Sequence, residues 1–103
     1  MGASRVIPPR EGLIGVLQLV GTTPSSAVAI QQAGYHVFVC DEPFYITFGN
    51  SSVAAPDETA TTGNSRTMRW PADTPLAVYL SGIEDSHFRV KPTGNSFLRW
   101  WKG

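Results

Sequence analysis

Short runs of alternating apolar and polar residues, separated by turn-forming residues, recur along most of this chain. Runs of this kind, rich in β-branched and aromatic residues, are typical of short β-strands. Residues 24–33 are ambiguous: alternation favours a strand, whereas Thr23-Pro24 and Gly34 fit the two ends of a helix. The other predicted strands span residues 13–20, 35–40, 44–48, 66–70, 76–80, 87–91 and 96–101.

These strands predict an all-β protein, an antiparallel β-sandwich or barrel of about eight short strands. The strand at residues 35–40 is apolar on both faces and is expected to lie inside a sheet. Asp41-Glu42-Pro43 is turn-forming, so residues 35–49 are predicted to form an antiparallel hairpin. Residues 13–103 are expected to be a single domain.

Two segments do not fit the strand pattern. Residues 1–12 contain Pro8-Pro9, which excludes helix and favours an extended N-terminal arm. Residues 50–65 are small and polar, and loops of this length are often functional. The loop is therefore the first candidate for contact with a partner.

Charge and composition narrow the class of partner. Formal net charge is zero, and only 16% of residues are charged, so nothing draws the whole chain to nucleic acid or to an anionic membrane. Residues 1–10 contain no apolar h-region, so no signal peptide is expected, and no apolar run reaches the length of a membrane helix. The light charge suggests a surface that is partly covered by neighbouring molecules.

Reactive groups are sparse, and the sequence predicts no enzyme, no metal site and no cofactor. His36 and Cys40 share a strand face but lie about 13 Å apart at strand rise, too far for a nucleophile–base contact. Asp85-Ser86-His87 has the residue types of a catalytic triad, yet neighbours on a strand point to opposite sides and rarely converge.

Tryptophan and arginine are the residue types that most often dominate binding surfaces. Trp100 and Trp101 are adjacent, so both cannot face one core, and one is expected to point into solvent or a partner. Exposed tryptophans also suit stacking on sugar rings, which leaves a carbohydrate-binding or adhesion module as an alternative. The predicted partner-binding residues are Arg5, Pro8, Pro9, Arg10, Arg66, Arg69, Trp70, Trp100 and Trp101.

The middle of the chain, residues 34–92, also contains a series of short motifs in a characteristic order. In chain order these are Gly34-Tyr35-His36-Val37, Tyr45-Ile46-Thr47-Phe48-Gly49, the loop at 51–65, Pro71-Ala72-Asp73, Leu76-Ala77-Val78-Tyr79 and a final hairpin around Phe88-Arg89-Val90. In this order the chain resembles small β-sandwich virion structural proteins of tailed bacteriophages. The Trp100-Trp101 ending and the proline-rich arm depart from that pattern.

The resemblance implies a capsid decoration (cement) protein that binds and stabilises the shell of major capsid protein. It further implies other copies of the chain as partners, for example in a homotrimer, and location in the virion after synthesis in the bacterial host cytoplasm. A head–tail or tail completion protein is the alternative within the same particle.

Deletion of residues 1–12 is expected to abolish binding to the particle while leaving the fold intact, because an extended arm attaches naturally by strand addition. Co-sedimentation with particles, together with circular dichroism of the truncated chain, measures both effects. Unchanged binding would remove the arm from the hypothesis.

Overall fold

A computed structural model describes residues 14–30, 32–57, 59 and 66–103. The arm predicted at residues 1–12 and most of the second half of the 50–65 loop lie outside the described residues. Eight strands are present: β1 (Gly15–Leu19), β2 (Val28–Ala29), β3 (Gly34–Cys40), β4 (Phe44–Gly49), β5 (Met68–Trp70), β6 (Leu76–Leu80), β7 (His87–Pro92) and β8 (Ser96–Lys102).

The strands form two four-stranded antiparallel sheets, which confirms the all-β sandwich prediction. Sheet A has the order β1-β8-β3-β6, and sheet B has the order β2-β7-β4-β5. Strands therefore pair first with last, second with seventh, third with sixth and fourth with fifth. This is the order of a jelly roll, in which one long antiparallel ribbon is rolled into two facing sheets.

Two local predictions change in this topology. The hairpin predicted at residues 35–49 is wrong, because β3 belongs to sheet A and β4 to sheet B, and Asp41-Glu42-Pro43 crosses between the sheets. The final hairpin around Phe88-Arg89-Val90 is wrong for the same reason, since β7 and β8 also lie in different sheets. The ambiguous segment contains the two-residue strand β2.

Aromatic side chains fill the space between the sheets. Phe38 is fully buried, and its ring lies 4.9 Å from that of Phe88 and 5.7 Å from that of Phe48, both on sheet B. Trp100 stacks on Phe38 at 6.4 Å and meets Phe88 edge-on at 5.2 Å. Such pairs stabilise the fold beyond the simple burial of their area.

A glycine is required at position 15 because the Trp100 indole occupies the space that a side chain would fill. The two residues face each other across the β1–β8 ladder. A Cβ atom on Gly15 would lie 2.6 Å from Trp100 Nε1 and 2.7 Å from its Cε2. The indole is held on its other sides by Phe38 and Phe88, so it has little freedom to move away.

We expect Gly15→Ala to lower the free energy of unfolding by about 1–3 kcal/mol, because overpacking forces the indole out of place. Gly94→Ala is the matched control, since no atom lies within 4 Å of its added Cβ. Urea denaturation followed by tryptophan fluorescence measures both. Equal stability of the two variants would contradict this packing.

His36 is expected to make the stability of the fold depend on pH. The side chain is 1% exposed on the inner face of β3, where its Nδ1–H donates to the Gly34 carbonyl at 3.0 Å. Burial lowers the pKa of His36 from its ordinary value of 6.5; Lys102 lowers it further, and Gly34 and Asp85 act in the opposite direction.

His36 therefore binds a proton at a higher pH in the unfolded chain than in the folded chain. As pH falls through 6.5 toward the lower folded pKa, the free energy of unfolding should decrease; above 6.5 this residue adds no pH dependence. Denaturation curves from about pH 7.5 to about pH 5 test this. In His36→Gln the decrease should be smaller, and an identical decrease would exclude His36 as its source.

Candidate functional site

The outer face of sheet A, meaning the face turned away from sheet B, is almost free of charge. Alternation along the four strands places ten side chains on this face. They are Val16, Gln18, Tyr35, Val37, Val39, Ala77, Tyr79, Phe97, Arg99 and Trp101. Arg99 is the one charged residue among these positions, whereas the outer faces of sheets in soluble proteins are usually polar.

Large apolar side chains on this face remain accessible. Tyr35 is 55% exposed and Tyr79 is 60% exposed, and their rings meet edge-on across the β3–β6 ladder at 5.3 Å. Towards the opposite edge of the sheet, Val16 is 60% exposed and Phe97 is 42% exposed. The Arg99 guanidinium carbon lies 6.0 Å from the centre of the Phe97 ring, a cation–π arrangement.

The middle of the same face is closed. Val37 is 0% exposed and Trp101 is 9% exposed, and the two are partners across the β3–β8 ladder. The face therefore has a buried centre with two accessible apolar regions on either side. Aromatic residues and arginine are the residue types enriched in protein–protein interfaces.

The outer face of sheet B, unlike that of sheet A, carries several basic residues and has a loop packed across it. Its strand positions include His87, Arg89, Lys91 and Arg69. The chain after β4 folds back across it: Thr47 Oγ1 donates to the Ala54 carbonyl at 2.8 Å, and Arg89 Nη1 donates to the Val53 carbonyl at 3.4 Å. Residues 50–57, the first half of the predicted partner-contacting loop, thus pack on their own domain.

A shallow groove of about 310 Å³ lies at the end of sheet A beside Phe97. Two of its polar side chains are already used within the chain: Asp41 Oδ1 accepts from the Phe97 N–H at 2.9 Å, and Asn95 Oδ1 accepts from the Gly21 N–H at 2.6 Å. We regard the groove as part of the surface around Phe97.

Within the described part of the chain, the predicted partner-binding residues do not form one surface. Arg5, Pro8, Pro9 and Arg10 lie outside the described residues. Arg66 and Arg69 are exposed at and before β5, at one edge of sheet B. Trp70 is packed against the core and donates its indole N–H to the Thr74 carbonyl at 2.9 Å.

The two adjacent tryptophans point to opposite faces of β8, as expected. Trp100 packs inward on Phe38 and Phe88, and Trp101 lies on the outer face of sheet A. The outward ring is nevertheless only 9% exposed, so it does not present a free flat surface to solvent. It forms the buried centre of the outer face together with Val37.

No catalytic constellation is assembled among the described residues. Ser86 Oγ lies 2.8 Å from His87 Nδ1, but Asp85 binds Ser81 and the Gly82 N–H instead of His87. The hydrogen bond from Ser81 is the main cause that lowers the pKa of Asp85. The described residues also contain no group of three or more histidine, cysteine, aspartate or glutamate side chains arranged to hold a metal ion.

Sequence reasoning missed the residues that make the outer face of sheet A accessible. Alternation predicts that Tyr35, Val37 and Val39 share one face of a strand, but an apolar face is equally consistent with a position in the core. The sequence signal for an apolar outer face is that both faces of β3 carry apolar residues. Only the pairing of β3 with β6 and β8 shows which of the two faces is turned outward.

Comparisons with protein-family models, curated proteins and solved structures found no match for this chain. The described part of the chain contains no helix that is long and apolar enough to span a membrane.

Proposed function

We propose that this chain is a structural protein of a tailed-phage particle, of the decoration type, that docks on the shell of major capsid protein. The observation that carries the proposal is the outer face of sheet A, with nine uncharged residues among ten strand positions. It rests on no cofactor and on no catalytic step.

Exposed apolar side chains are concentrated on one side of the molecule. Eight large apolar residues are exposed in the described part of the chain, and Val16, Tyr35, Tyr79 and Phe97 belong to the outer face, with Ile14 and Val20 beside the ends of β1. Exposed apolar side chains gathered on one face usually mark a site of protein–protein interaction. A particle shell supplies a partner that covers such a face permanently.

The aromatic geometry favours a protein partner over a glycan. Trp70 and Trp100 pack on the core, and Trp101 is 9% exposed, so the coplanar exposed tryptophans that a sugar-binding module requires are absent from the described residues. Tyr35 and Tyr79 meet edge-on with an interplanar angle of 73° and so offer no common flat platform.

The topology and the sequence support a place in the virion. Jelly rolls are frequent in viral capsid domains and also in lectins and cupins, so fold-level analogy alone does not choose among them. The feature that favours a tailed-phage particle among these classes is the order of motifs across residues 34–92, which resembles that of virion structural proteins. In this proposal the arm at residues 1–12 supplements the outer face of sheet A, whereas Arg66 and Arg69, at the edge of sheet B, take no part in docking.

Quantitative mass spectrometry of purified particles tests the proposal. We expect the chain to be spread over the shell in many copies, and Phe97→Ser to weaken its binding to the particle roughly tenfold, as for an aromatic hot spot. Tyr45→Ser is the matched control, because Tyr45 is an aromatic residue on the outer face of sheet B.

Other outcomes overturn the proposal or redirect it. Absence of the chain from particles would refute a virion role. A single ring of copies at one vertex would replace decoration by head–tail completion. Equal loss of binding in the two variants would exclude the outer face of sheet A as the docking surface.

A further inference from the structure

The outer edges of the two sheets are protected to different degrees. Sheet B ends in β2 and β5, which contain only two and three residues. Sheet A ends in β1 and β6, each five residues long and each without a charged residue or a proline. Soluble proteins normally protect such edges with charges, prolines, bulges or short strands.

Strand β6 is the more complete template for another strand. Its five residues pair in unbroken register with β3, from Leu80 opposite Gly34 to Leu76 opposite Phe38. Within the described residues, β3 is its one strand partner. A regular strand of this kind leaves backbone donors and acceptors along its other edge available to a second chain.

We infer that β6 pairs antiparallel with β6 of a second copy of this chain, about a two-fold axis through Val78. In this register Ala77 lies opposite Tyr79 of the second copy, Tyr79 lies opposite Ala77, and Leu76 lies opposite Leu80. Small residues face large ones on the outer side and leucines face each other on the inner side.

The same construction on β1 is less favourable, which is why β6 is chosen. A two-fold axis through Leu17 would place Val16 opposite Gln18 of the second copy, an aliphatic side chain against an amide. It would also place Gly15 opposite Leu19, and a glycine has no side chain to pack in such a pair. Two-fold pairing through one self-complementary patch is also the commonest symmetry among homo-oligomers.

The pairing would continue the apolar outer face of sheet A from one copy to the next. Residues directly opposite in antiparallel strands have their side chains on the same side of a sheet. Tyr35 and Tyr79 of the two copies would therefore adjoin one another, and the two outer faces would form one surface on an eight-stranded sheet. Formal net charge is zero, so the copies do not repel each other as whole molecules.

The ends of β6 limit the contact to five residues. Pro75 precedes the strand, and Gly82 follows it with a φ of +80° that breaks the extended chain.

Sedimentation equilibrium of the purified full chain measures the association. We expect a dimer for the wild type and a dissociation constant at least roughly tenfold higher for Ala77→Lys, since symmetry introduces the charge twice at one interface. Gln18→Lys is the matched control: it adds the same charge at an exposed position on the other edge strand of sheet A. Near-ultraviolet circular dichroism checks that both variants are folded.

The control also distinguishes the two edges. A monomeric or trimeric wild type, or an Ala77→Lys variant that dimerises normally, would overturn the inference. Dissociation by Gln18→Lys as well as by Ala77→Lys would do the same, because it would indicate pairing of β1 with β6. The inference does not rest on the virion role: Phe97→Ser should lower particle binding without changing the solution dimer.

A disulfide at the axis tests the register directly. In Val78→Cys the introduced residue meets its own copy, so mild oxidation should give a covalent dimer even if Ala77→Lys proves unstable. The wild-type chain has a single cysteine, Cys40, which is 1% exposed and should not cross-link. Leu17→Cys, at the corresponding central position of β1, is the control; a covalent dimer from it and none from Val78→Cys would refute the β6 register.

Discussion

The contact between Phe38 and Phe88 is the interaction on which the rest of this structure depends, because it joins the two sheets at their centre. Phe38 lies on a central strand of sheet A and Phe88 on a central strand of sheet B, with 4.9 Å between their rings. Trp100 extends the contact along sheet A, and Gly15 makes room for it. Every strand pair in the jelly roll joins segments that are distant in sequence or are separated by a loop, so local structure alone cannot hold the ribbon rolled. Burial of these rings supplies the stabilisation that the long-range pairing requires.

Rolling the ribbon also determines which surfaces remain for function. Both sheets turn an apolar face inward, so they are distinguished by their outer faces. Sheet B carries basic residues outside and is covered by residues 50–57, which satisfy Arg89 and Thr47 through backbone carbonyls. Sheet A carries one arginine among ten outer positions and keeps four large apolar side chains accessible. The same chain thus has a self-covered polar side and an apolar side without comparable cover from the described loops.

The sequence predicted the strands well because alternation with a period of two is a local property. It did not predict how strands pair, because Asp41-Glu42-Pro43 has the same turn-forming residues whether it joins strands within one sheet or crosses to the other. The adjacent tryptophans show the same limit: alternation correctly placed Trp100 and Trp101 on opposite faces, but their exposure depends on the neighbouring strands. The candidate site was hardest to predict, since Tyr35 and Phe38 belong to one apolar strand and only the sheet order shows that Tyr35 is turned outward.

An apolar outer face and an uncharged edge on one sheet are best understood as a single feature. A face such as that around Tyr79 lowers solubility, and an edge such as β6 invites pairing with other chains, so a chain that kept both exposed would be prone to aggregate. Sheet B shows that this chain has the means to avoid both, through very short edge strands and a loop folded over the surface. The contacts proposed for sheet A would account for this difference between the sheets. A closed two-fold pair at β6, as inferred above, would remove the edge and leave the enlarged face to a further partner.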